Sequence, residues 1–148
     1  MASGVAVDPK CVEEFQALVR SRKYRGLVMK INDEMTSIGV ERTLSPIQQG
    51  DKVDAKWTEF TKTLPENDCR YIVYDFEYEM QGIKKNRVIF MLWSPEYSKV
   101  KSKMIYASSQ EGCVNAMEGI QRQLQSCDMD EMAYEYIANQ LKQFTASY

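Results

Sequence analysis

The segment "RYIVYDFEYEM", residues 70–80, limits the folds open to this chain more than any other. Ile72, Tyr74, Phe76, Tyr78 and Met80 recur at every second position, with Asp75, Glu77 and Glu79 between them. A period of two puts these sets on opposite faces of a β-strand, the carboxylates toward solvent. A loop containing Gly82 then leads into "RVIFMLW" at 87–93, which predicts a hairpin. A strand with one large apolar face needs something to cover it, and the rest of the chain supplies helices.

Asp8-Pro9 is a helix-start signal, a capping carboxylate followed by proline at the first helical position. Val12, Phe15, Leu18 and Val19 share a face, predicting an amphipathic helix over 9–22 that "RSRKYRG" closes with cations and a glycine. Residues 27–33 and 36–44 predict a strand pair around a short turn. A second helix opens at Asp51, carries Val53, Trp57, Phe60 and Leu64 on one side, and stops at Pro65. After Ser94-Pro95 comes a long helix, then a short strand over 120–126. A last helix follows, capped by Asp128 or Asp130, with Met132, Ile137, Leu141 and Phe144 available for burial. Strands interleaved with helices, without repeats or a dividing linker, predict one α/β domain over residues 1–148, a sheet with helices packed on it.

Composition narrows the function. The chain has 148 residues and a net charge of −2, so a nucleic-acid partner is not expected and any basic surface must be local. It contains no histidine, which excludes Ser-His-Asp and Cys-His catalysis and every metal site that uses an imidazole. Cys11, Cys69, Cys113 and Cys127 are widely spaced and read as reduced thiols of a cytosolic protein. No signal peptide and no apolar run of membrane-spanning length is present, so stable membrane insertion is not expected.

Three features could carry binding. The tail Ser3-Gly4-Val5 precedes the first helix; it is either a frayed terminus or a contact whose charge a phosphate on Ser3 would change. Lys84, Lys85 and Arg87 cluster at the hairpin, as a solvated turn or as a contact for an acidic partner. In "VKSKMIYASS", residues 100–109, Lys101 and Lys103 lie roughly 160° apart around a helix. No single ideal face collects Met104, Ile105 and Tyr106, and the Ser108-Ser109 pair can bond back to carbonyls and bend the helix. Either this helix packs on the core with snorkelling lysines, or it buries one side and offers a Lys-Lys-Met edge to a partner.

"SGVAV" at 3–7, "KY" at 23–24, "ND" at 32–33, "LPENDCRYIVYDFEYE" at 64–79, "WSP" at 93–95 and "VKSKMIYASS" at 100–109 together resemble the actin-depolymerising factor/cofilin family over nearly the whole chain. The resemblance implies a mixed sheet sandwiched between helices, no enzymatic activity and no cofactor. It implies a monomeric, cytoplasmic protein that binds actin monomers and filaments, prefers ADP-bound actin, and promotes severing and disassembly. By the same resemblance Ser3, Gly4, Val5, Lys101, Lys103, Met104, Asp128 and Glu131 form a monomer-type site. Lys84, Lys85 and Arg87, with Asn139 and Gln140 on the last helix, form a filament-type site. Ile105 and Tyr106 anchor the long helix to the sheet, and Ser3 is the regulatory phosphorylation position.

The departures lie where the family carries cations. Gln110, Val114 and Asn115 stand at positions that relatives use for phosphoinositides, and Asn139, Gln140 and Gln143 replace charged residues on the last helix, with Lys142 nearby. Weakened filament binding and weakened lipid regulation follow as expectations. A phosphoinositide-binding module without severing activity is the competing reading. The long basic nuclear signal of vertebrate members is also missing.

Overall fold

The computed structural model describes residues 4–146, with side chains through Gln143. Six strands form one mixed sheet: β1 (Ala6–Val7), β2 (Gly26–Ile31), β3 (Ser37–Leu44), β4 (Arg70–Met80), β5 (Ile83–Trp93) and β6 (Arg122–Ser126), in the order β1-β3-β2-β4-β5-β6. Four helices cover it: α1 (Pro9–Ser21), α2 (Val53–Thr61), α3 (Val100–Asn115) and α4 (Tyr134–Ala146). β1–β3 and β5–β6 are parallel, the other pairs antiparallel.

The β4–β5 hairpin is as predicted but longer. Met80 pairs with Ile83 across a turn formed by Gln81 and Gly82, both at positive φ (54° and 78°), which suits the right-handed twist of the flanking strands. Polar residues 84–86 extend β5 below its apolar run, with Lys84 opposite Glu79 so that unlike charges face each other.

Both faces of the sheet are covered. Tyr71, Val73, Phe90 and Leu92 join Phe15 and Leu18 of α1 and Tyr106 and Cys113 of α3 in one core. Ile72, Tyr74, Phe76 and Met91 join Trp57 and Phe60 of α2 and Ile137 and Leu141 of α4 in the other. The first half of β4 is therefore buried on both sides, and only its carboxylate half shows the exposed alternation.

Several expectations need correction. Asp8 caps α1 as foreseen, its Oδ1 accepting the Lys10 N–H at 2.9 Å, but the helix ends at Arg22 (φ 51°) instead of at a glycine. Gly26 starts β2. A Cβ there would lie 2.8 Å from Tyr74 Cδ2 and 2.9 Å from Leu44 Cδ1. Gly26→Ala is therefore expected to destabilise the protein by about 1–3 kcal/mol, read as a lowered urea midpoint at unchanged m-value. Residues 6–7, read only as part of a tail, form an edge strand. Asp128 Oδ1 accepts the Glu131 N–H of a 3-10 turn over Asp130–Met132 and does not cap α4, which begins later at Tyr134. The side chain of Phe144 lies outside the described residues.

Candidate functional site

Strand directions gather one set of predicted residues at one end of the sheet. The C-terminal ends of β2, β5 and β6 and the N-terminal ends of β1, β3 and β4 all meet there. So do Gly4-Val5, the loop into α3 and the turn after β6. Ser94 N–H donates to the Ser126 carbonyl at 2.9 Å, and Ser126 Oγ donates to the Glu131 carbonyl at 3.1 Å, binding the last two together. Ser3 lies outside the described residues; Val5 is fully buried in the first core.

α3 explains why no apolar face was visible in the sequence. Only Tyr106, Ser109 and Cys113 are fully buried, a single-file stripe at spacings of three and four. Tyr106 Oη accepts the Ile31 N–H at 2.9 Å, the Tyr71 hydroxyl donates to the Tyr106 carbonyl, and half-buried Ile105 packs on the same core. Anchoring by residues 105 and 106 is thus as expected. The rest of the first turns stands free. Met104 is 67% exposed and Lys101 is exposed, while Lys103 reaches back so that Nζ donates to the Glu96 carbonyl at 2.7 Å.

Tyr97 (83% exposed) and Val100 (71%) extend this apolar edge toward the loop. Sequence reasoning missed both, because an isolated aromatic in a turn and a valine at a helix start carry no periodicity. Large apolar side chains left in water beside cations are suited to a protein partner.

The turn after β6 is internally organised. Glu131 Oε1 accepts both the N–H and the Sγ–H of Cys127, at 2.9 and 3.0 Å, while Asp128 Oδ1 accepts the Glu131 N–H at 2.9 Å. The Cys127 thiol and amide lower the Glu131 pKa, and the same carboxylate raises that of Cys127. Cys127, Asp128 and Glu131 have ligating atoms within 4.8 Å of one another, but these atoms already serve each other as turn caps. The other three thiols are buried, with burial pushing Cys11 up to about 11 and Cys113 up to about 12. An aromatic disulfide reagent should therefore modify one thiol quickly in the native protein and four in denaturant. Fast release of two or more equivalents from the native chain would contradict this packing.

The second predicted set lies at the opposite end. Lys84 is exposed, Lys85 and Arg87 half-buried, and a surface cavity of about 420 Å³ joins the two lysines to Arg22, Glu77, Glu79 and Tyr134. Tyr134 Oη donates to the Glu77 carbonyl at 2.7 Å, so the start of α4 is pinned to the hairpin. Asn139 is exposed and Gln140 half-buried further along α4, and neither lines that cavity.

Known proteins share this fold. Residues 4–142 match the family model for cofilin/tropomyosin-type actin-binding proteins. Similar sequences include a cofilin of Ogataea parapolymorpha, 41% identical over 145 residues and covering 97% of this chain and 96% of the relative. A cofilin of Schizosaccharomyces pombe is 40% identical over 135 residues, covering 91% and 93%. Among solved structures, actin depolymerization factor 2 of Plasmodium berghei superposes with a TM-score of 0.83 at 31% identity, over 94% of this chain and 97% of its own. A cofilin structure from Streptomyces griseoflavus gives 0.80 at 34% identity, over 93% and 96%. The chain therefore belongs to the actin-depolymerising factor/cofilin family.

Proposed function

We propose that this protein binds actin monomers and filaments, with ADP-actin preferred, and drives filament disassembly in the cytoplasm as a monomeric binding protein. It is not an enzyme. The observation that carries the reading is the end of α3: Lys101 and Lys103 flank an exposed Tyr97-Val100-Met104 edge, at the same end of the sheet as Gly4 and the Asp128–Glu131 turn. Cations steer association with an acidic surface, and the apolar edge supplies contact area to be desolvated. A phosphate on Ser3 would add about −1.5 to −2 charges one residue before Gly4 and oppose the same steering.

The finer part of the proposal concerns filaments. Lys84, Lys85 and Arg87 supply hairpin cations, yet Asn139 and Gln140 offer no charge on α4. Filament-side binding and severing are weaker than in relatives that are charged at both places. Severing counted by microscopy at matched filament occupancy tests this; a rate equal to that of such a relative would contradict it. Phosphoinositide regulation is weak for the same reason, since Gln110, Val114 and Asn115 carry no cations. The same missing cations speak against the competing lipid-module reading.

A further inference from the structure

The motif Asn32-Asp33 is a part of the family signature that neither surface uses. Asn32 follows Ile31, whose N–H meets Tyr106 at the midpoint of α3. Asn32 Oδ1 accepts the N–H groups of Thr36 (2.8 Å) and Ser37 (3.1 Å), and Nδ2 donates to Thr36 Oγ1 at 3.0 Å. Its backbone closes the same turn: Asn32 N–H donates to the Ser37 carbonyl and Met35 N–H to the Asn32 carbonyl, both at 2.9 Å. Met35 sits in the left-handed region (φ 58°), a conformation that its own side chain does not favour and that these bonds hold.

The far side of this turn carries the N-terminal tail. The Thr36 carbonyl accepts the Ala6 N–H at 2.9 Å, Ala6 and Val7 pair with Ser37 and Ile38, and Asp8 N–H donates to the Ile38 carbonyl at 2.9 Å. An unbroken path of chain and hydrogen bonds therefore runs from Tyr106 through Ile31, Asn32 and Thr36 to Ala6. Its two ends are the long helix and the tail.

We propose that Asn32 is a positioning residue: it sets where the tail leaves the sheet relative to α3, so that both meet actin as one rigid surface. This rests on the reading that tail and α3 form a single actin site. Asn32 itself need touch nothing on the partner. Pre-organising two contacts removes an ordering cost that binding would otherwise bear.

The test is the affinity of the full-length protein for ADP-actin monomers in a double-mutant cycle. Asn32→Ala removes the side-chain bonds, Ala6→Pro removes the N–H that the tail gives to Thr36, and Asn32→Asp keeps the acceptor oxygen. Asn32→Ala and Ala6→Pro should each weaken binding about fivefold or more. Asn32→Asp should stay within about twofold of the parent, and the double variant should be no weaker than the weaker single one. Multiplying losses in the double variant would overturn the proposal, because the two residues would then act separately. So would an unchanged Asn32→Ala alongside a Lys101→Ala, Lys103→Ala variant that no longer binds, a result that leaves the α3 surface intact as a reading. Undiminished binding by that lysine variant removes the surface itself, and the proposal with it.

Discussion

Replacing Lys101 and Lys103 together with alanine is expected to weaken actin-monomer binding by more than about tenfold and to leave folding untouched. Lys101 stands in solvent, and Lys103 makes one surface hydrogen bond, to the Glu96 carbonyl. Neither supports the core. Surface substitutions of this kind usually change stability by less than about 0.5 kcal/mol, so affinity and unfolding should separate cleanly. Much of the loss should appear in the association rate and shrink as salt is raised, because it is steering that is removed. Met104→Ser isolates the apolar contribution: its loss should persist at high salt. Equal losses of affinity and of thermal stability in the lysine variant would contradict this account of α3.

Trp57→Ala should have the largest effect on stability, about 3–5 kcal/mol. Trp57 is 1% exposed and sits edge-on to Tyr74 and Phe76, with ring centroids 4.7 and 5.1 Å apart. Its Nε1–H donates to the Met132 carbonyl at 2.6 Å, fastening α2 to the turn that precedes α4. Alanine leaves a cavity and an unmet carbonyl together. Trp57→Phe keeps most of the ring volume and loses the donor, so a cost of about 1–3 kcal/mol is expected for it. Denaturant unfolding followed by far-UV circular dichroism reads both. Against total stabilities of about 5–15 kcal/mol, the alanine variant should lose at least about a fifth of the total. A change below about 1 kcal/mol would mean that the second core is not assembled around this ring.

What was legible in the sequence follows from how directly each element depends on local pattern. β4 was bounded correctly because alternation and burial coincide in its second half, where only one face is covered. Its first half is covered twice, a tertiary fact that a run such as Tyr71-Ile72-Val73 does not announce. β5 was read short because Lys84, Lys85 and Asn86 look like a loop. They continue the strand only because Glu79, Tyr78 and Glu77 lie opposite. β1 is visible only once β3 offers an edge, and Arg22 ends α1 in a left-handed conformation where a glycine was the expected signal.

The candidate site shows the same division. That α3 lacks an ordinary amphipathic face was readable, and so was its anchoring by Ile105 and Tyr106. That the buried stripe is one residue wide depends on two hydrogen bonds, from the Tyr71 hydroxyl to the Tyr106 carbonyl and from the Ile31 N–H to the Tyr106 hydroxyl, which no periodicity encodes. The exposed Tyr97 and the tail-bearing turn at Asn32 lie outside any regular element. They acquire meaning only from the end of the sheet on which they meet.

The most direct test of the central claim is sedimentation of ADP-actin filaments with rising amounts of the protein, measuring actin and protein in both pellet and supernatant. The account predicts that actin moves into the supernatant while little of the protein pellets, and that the Lys101→Ala, Lys103→Ala variant leaves the actin in the pellet and itself stays in solution. Actin that stays pelleted at every concentration, with the protein left in solution, would contradict the assignment of α3 as an actin-binding surface. Protein pelleting near one per subunit with shortened filaments would keep that surface and refute the weakened filament side.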